Sequence, residues 1–166
     1  MKIRLIQISL LLTIVWFFQS CYSFTGGSIP SHLKTLYIAA VNDNSGFGNP
    51  EYRDLLTNNL IDVFRTDNSL SQVDFGGDAR LTVIISAIRE NPVTVSPGEL
   101  ETERKVEVHC DVEYYDNVKK SVIFKKNFMT YDIYPVSDAI AGRTQAITTA
   151  LSQVADDILL AVVSGW

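Results

Sequence analysis

The sequence predicts an α+β fold, a two-layer α/β sandwich with a mixed sheet of about four strands and two helices on one face. Three observations carry that expectation. Periodicities follow the order β-α-β-β-β-α along the chain. Both helical stretches keep their apolar residues on one side. One strand alternates apolar and charged residues without a break, which gives the sheet one face to bury and one to leave wet.

The first strand spans Lys34 to Val41, rich in apolar and β-branched residues and bounded by Pro30 and Asn42. A loop with Gly46 and Gly48 follows. Asn49-Pro50-Glu51 is then a helix start, with a capping Asn, Pro at the first helical position and an acid in the first turn. Tyr52, Leu55, Leu56, Leu60, Val63 and Phe64 recur at three- and four-residue steps, and the helix ends near Thr66-Asp67-Asn68. Leu70 to Asp74 fits a short edge segment, broken by Gly76-Gly77.

Arg80 to Arg89 is the second main strand, with Leu81, Val83, Ile85 and Ala87 facing one way and Thr82, Ile84, Ser86 and Ile88 the other. Apolar groups on both faces suit a central strand. Asn91 to Glu101, with Pro92, Pro97 and Gly98, is a loop. From Lys105 to Tyr115 the alternation is clear. Val106, Val108, Cys110, Val112 and Tyr114 share one face, and Lys105, Glu107, His109, Asp111 and Glu113 the other. Asp116-Asn117 opens a turn, and Lys120 to Phe128 returns as the partner of an antiparallel hairpin, with Val122, Phe124 and Phe128 in phase. After Pro135, Ser137 or Asp138 caps a long final helix. Its stripe is Ile147, Leu151, Val154, Ala155, Ile158 and Val162, with Gln153, Asp156 and Asp157 outside it.

Ahead of this domain, Lys2 and Arg4 precede a mostly apolar run from Leu5 to Phe18, and Ser20 stands directly before Cys21. Charge, oily segment, small residue and cysteine, in that order, are the layout of a bacterial lipoprotein signal. The run holds about 14 positions, short of the about 20 that a spanning helix needs. Phe18 and Gln19 suit lipidation at Cys21 better than ordinary cleavage, which favours small residues three and one positions before the cut. The expected organisation is a signal peptide at 1–20, a lipid-anchored tether at 21–33 and a single domain at 34–166. Tyr22 follows Cys21, in place of the Asp that marks inner-membrane retention, so the expected address is the periplasmic side of the outer membrane. Within the tether, Tyr22 and Phe24 are candidates to dock on a partner or on the domain.

Removing the signal leaves 146 residues with 12 basic and 19 acidic side chains, a formal charge of −7. An acidic domain is a poor nucleic-acid binder, because clustered positive charge supplies most of that affinity. The apolar fraction of the whole chain, 46%, is that of a globular protein, and a domain of this size can bury a core without disulfides or metals. With Cys21 lipidated, Cys110 is left alone on the core side of its strand, an inert apolar side chain.

Little in the chain is catalytic, and no cofactor is expected. His32, in the tether, and His109, on a wet strand face, lack metal-ligand spacing and read as solvated. No Gly-x-Ser-x-Gly elbow or phosphate loop is present. Glu107, Asp111 and Glu113 share a strand face, which is most simply a solvated acidic face. Two features point to binding. Lys119, Lys120, Lys125 and Lys126 cluster around the hairpin as a candidate contact for phosphate or another anion. Ile84, Ile88 and Ile123 are expected on the sheet face opposite the helices, where exposed apolar groups can mark a partner surface.

The opening Cys21-Tyr22-Ser23-Phe24-Thr25-Gly26-x-Ser28-Ile29-Pro30 resembles the mature start of the lipopolysaccharide-assembly lipoproteins, the LptE family. The similarity continues through the strand at Lys34–Val41, the helix with Leu55, Leu60 and Phe64, and Asp78-Ala79-Arg80-Leu81. It extends to Leu151-x-x-x-Ala155-Asp156-Asp157-Ile158 and Gly165-Trp166. The resemblance implies a non-catalytic outer-membrane lipoprotein that sits inside and stabilises the β-barrel subunit of the lipopolysaccharide translocon, LptD, and contacts lipopolysaccharide. Cys21 carries over as the lipidated residue; the lysine hairpin comes from the residues alone. Another lipoprotein binding or assembly module of similar fold is the alternative. A lipid-anchored hydrolase would need a nucleophile–base arrangement that the sequence does not show.

Overall fold

A computed structural model describes residues 29–93 and 100–164. The signal at 1–20, the lipidation residue Cys21 with Tyr22 and Phe24, the loop tip at 94–99 and the closing Gly165-Trp166 lie outside the described residues. The strands are β1 (Thr35–Ile38), β2 (Asn42–Asp43), β3 (Ser71–Val73), β4 (Ala79–Pro92), β5 (Glu103–Asp116) and β6 (Ser121–Pro135). The helices are α1 (Glu51–Asp67) and α2 (Ala141–Ser164). One mixed sheet runs β3-β1-β4-β5-β6, with β2 also paired to β4. The α+β class stands, and the sheet has six strands rather than about four. The additions are short: β2 continues the line of β1 along β4, and β3 is the edge segment expected at Leu70–Asp74.

β1 lies parallel to β3 and β4, and parallel neighbours require a crossover. α1 supplies it for β1 and β3. Asn49 Oδ1 accepts the Glu51 amide at 3.1 Å, so Asn49 does cap the helix, although the first helical residue is Glu51 rather than Pro50. Asn68 stops it in the left-handed conformation at φ 58°, its amide returning to the Phe64 carbonyl. Tyr52, Leu56, Leu60 and Phe64 are buried, one per turn.

β4, β5 and β6 form an antiparallel meander. The inward set on β5 is the one its alternation predicts: Val106, Val108, Cys110, Val112 and Tyr114 are buried. Burial pushes the Cys110 thiol up to about 12, which keeps it an apolar group at neutral pH. Two bulges alter the expected phases. The register shifts between Ile85 and Ala87, which turns Ala87 to the outer face and Ile88 into the core at 8% exposure. A second shift opposite Tyr114/Tyr115 sets Val122 across from Tyr115 on the outer face, instead of in phase with Phe124 and Phe128. Ile88 is therefore not an outer-face residue; Ile84 is, half-buried across from Asp111.

α2 begins at Ala141, after a 3-10 turn at Val136–Asp138, so neither Ser137 nor Asp138 caps it. Its buried stripe holds Ala146, Ile147, Ala150, Leu151, Val154, Ala155, Ile158 and Val162, which includes every residue the periodicity names. The helix packs on β5, β6 and α1. Its stretch is apolar and long enough to cross a membrane by composition alone, but half of it is buried within the domain. Each fully buried Leu or Ile there contributes roughly 1.5–3 kcal/mol.

Candidate functional site

Two surfaces deserve a residue-level account: the end of the domain where the chain enters it, and the sheet face away from the helices. At the first, Leu33 is buried and Ile29 packs against the core, so these last residues of the tether segment are fixed to the domain. His32 Nε2 stands 2.6 Å from Asp116 Oδ2, and the His32 side chain is only 27% exposed. His32 is thus a docked residue rather than a solvated one. Asp116 is buried at the end of β5, where Oδ1 accepts the amides of Val118 and Lys119 at 2.9 and 2.8 Å. Burial raises its carboxyl, but hydrogen bonds from the Lys119 amide, His32 and the Val118 amide outweigh that and hold it below the usual carboxylate range.

Asp78 closes the same end. Its Oδ2 accepts the amides of Lys34 and Thr35 at 2.9 and 3.0 Å, while its own amide donates to Thr35 Oγ1 at 2.9 Å. Hydrogen bonding from the Lys34 amide first, then from Thr35, depresses its carboxyl. Beside it Asn117 donates to the Gly77 carbonyl at 2.7 Å and its amide to the Asp78 carbonyl at 2.8 Å. A Cβ on Gly77 would sit 2.7 Å from the Tyr37 amide nitrogen, so only glycine allows this approach. The chain entry, the turn before β4 and the hairpin turn are one hydrogen-bonded unit.

That unit fixes where the hairpin lysines stand. Lys119 and Lys120 are exposed on the turn, Lys120 in the left-handed conformation at φ 55°. Lys125 Nζ lies 2.6 Å from Glu113 Oε2 on the outer sheet face. Lys126 points to the opposite face, 5.4 Å over the Phe124 ring. The side chains of Lys125 and Lys126 therefore leave the strand on opposite faces, as adjacent strand residues do, although both residues border one shallow groove.

The outer face carries paired charges along β5. Glu113 bridges Lys125 and Arg80, and Lys125 first and Arg80 after it lower its carboxyl. Lys105 bonds Glu107 at 2.7 Å and lowers that carboxyl likewise. Asn127 donates to Asp111 at 2.9 Å. Thr82, Ile84, Asp111, Glu113, Lys125 and Asn127 bound a shallow groove of about 450 Å³. His109 Nε2 reaches Glu107 only at 3.8 Å and has no hydrogen-bond partner. Among the described residues no group of three or more His, Cys, Asp or Glu is placed to hold a metal ion.

The family model for lipopolysaccharide assembly, LptE, matches residues 33–162, which takes in every strand and nearly all of α2. The chain belongs to the LptE family. Solved structures share its fold at low identity. An uncharacterized lipoprotein B from Nitrosomonas europaea superposes with a TM-score of 0.58 at 13% identity, covering 84% of this chain and 91% of its own. Rare lipoprotein B from Shewanella oneidensis gives 0.51 at 16%, covering 77% and 94%. A protein from Xanthomonas campestris gives 0.57 at 13%, covering 80% and 85%. No curated protein matches the sequence. Membership in LptE places the chain in lipopolysaccharide assembly. The sequence resemblance to that family is confirmed over residues 33–162.

Proposed function

We propose that this LptE-family chain is a non-catalytic outer-membrane lipoprotein that plugs and stabilises the β-barrel subunit of the lipopolysaccharide translocon. The observation that carries this is the family match across residues 33–162. Lipidation at Cys21 supplies the anchor. Seven residues lie between Cys21 and Ile29, so at most about 30 Å of chain joins the lipid to the domain. The hairpin-turn end, bonded to His32, is then the end nearest the membrane. The ion pairs along the outer sheet face, Glu113 with Arg80 and Lys125 and Glu107 with Lys105, suit enclosure in a barrel lumen better than free charges there would.

The hairpin is the proposed contact for phosphate groups of lipopolysaccharide. Among the described residues Lys119, Lys120 and Lys126 have no ion-pair partner, whereas Lys125 is engaged by Glu113. Reversing the charge of the first three should weaken lipopolysaccharide binding, and unchanged binding would remove the hairpin from the account. For the main proposal the test is co-purification of the full chain from detergent-solubilised outer membrane. Recovery of a large outer-membrane barrel is expected; recovery of a soluble periplasmic complex instead would favour a different binding or assembly module. Metabolic lipid labelling should be abolished by Cys21→Ala.

A further inference from the structure

We propose that the free edge of β6 is a self-association surface, pairing antiparallel with β6 of a second copy about a twofold axis at Met129. β6 ends the sheet, and among the described residues nothing pairs with its outer side. Natural edge strands are guarded by shortness, proline, charge or bulges. β6 is 15 residues long. Its bulge lies near one end and Pro135 at the other, while Asn127 to Tyr134 carries one charge, Asp132, and no proline. Met129, Tyr131 and Ile133 point outward on this stretch, exposed by 50%, 53% and 43%.

Charge selects the occupant and the register. Directly opposed residues of an antiparallel pair share a face. Lys126 and Asp132 both lie on the helix-side face, opposite Val112 and Val106 of β5. Centring the pair on Met129 sets Lys126 of each copy against Asp132 of the other, twice by symmetry. The same register sets Asn127 against Tyr131 and Phe128 against Thr130. Centring on Phe128 sets Lys126 against Thr130, and centring on Thr130 sets it against Tyr134, so both neighbouring registers lose the ion pairs. The proposal does not rest on the translocon reading and concerns copies that no barrel encloses.

The test uses the full chain purified in detergent. Opposed residues stand about 4.5–5.5 Å apart between Cα atoms, within disulfide range. Met129→Cys should therefore cross-link to itself under mild oxidation, while Asn127→Cys should do so only when Tyr131→Cys is also present. Lys126→Asp or Asp132→Lys alone should weaken association in sedimentation roughly tenfold, and the two together should restore it. All five positions are on the edge strand and outside the buried core, so folding should survive. A chain that sediments as a monomer throughout, cross-links equally from 127 alone and 129 alone, or is not restored by the double exchange overturns the proposal. Cross-linking in membranes from position 129 exclusively to a different envelope protein assigns the edge to that partner and overturns it too.

Discussion

Gly77 and Asp78 show how much of the architecture hangs on single residues. Gly77 has no room for a Cβ against the Tyr37 backbone, so Gly77→Ala must push β1 from β4. The expected cost is about 1–3 kcal/mol, measured by denaturant unfolding. Asp78 and Asp116 fasten the chain entry, and both carboxyls are held below their ordinary value of 3.8. A carboxyl depressed in the folded state stabilises fully above its unfolded value and loses that contribution as pH falls through the folded one. Thermal stability should therefore hold from neutral pH down to about 5 and fall below about 4. Asp78→Asn should flatten that fall, and an unchanged acid limb would remove Asp78 from the clamp. Neither role was legible in the sequence, where Gly76-Gly77 reads as a strand breaker and Asp116 as a turn residue. Their partners are 40 or more residues away, beyond what a local pattern records.

At the level of elements, legibility followed periodicity. The stripes of α1 and α2 and the inward face of β5 were readable because one side of each is continuously apolar. β6 was not. Its polar Lys126 and Asp132 take the helix-side face, while Met129, Tyr131 and Ile133 point outward, so its second half carries no signal that separates core from solvent. The strand consequently runs to Pro135, seven residues past the expected end at Phe128. The bulges hid Ile88 and Val122 for a related reason: one inserted residue exchanges the faces beyond it. The hairpin turn carries a strain that can be relieved. A lysine at φ 55° costs more than glycine there, so Lys120→Gly should raise stability by up to about 1 kcal/mol. Lys120→Val should lower it.

For the whole molecule, the sheet and two helices enclose one core, to which α2 contributes eight buried residues. Leu151 is fully buried in that helix, and Leu151→Ala should cost about 2–5 kcal/mol in unfolding experiments. The candidate site was less legible than the fold. The sequence located the lysines, but the pairing of Lys125 with Glu113 and the divergence of Lys126 follow from strand register. Of the isoleucines expected on the outer face, Ile84 lines the groove there and Ile123 is exposed where the β6 register shifts, while the bulge in β4 turns Ile88 into the core.

The central claim is enclosure by a barrel, and it makes a demand that one-sided docking does not: both broad faces must meet the same partner. Photo-activated cross-linkers placed singly in cells at Lys125, on the outer sheet face, and at Asp156, on the exposed side of α2, test it most directly. The account predicts that both positions cross-link to one outer-membrane β-barrel. Capture from only one of the two faces, or capture of a soluble periplasmic protein from either, would contradict it.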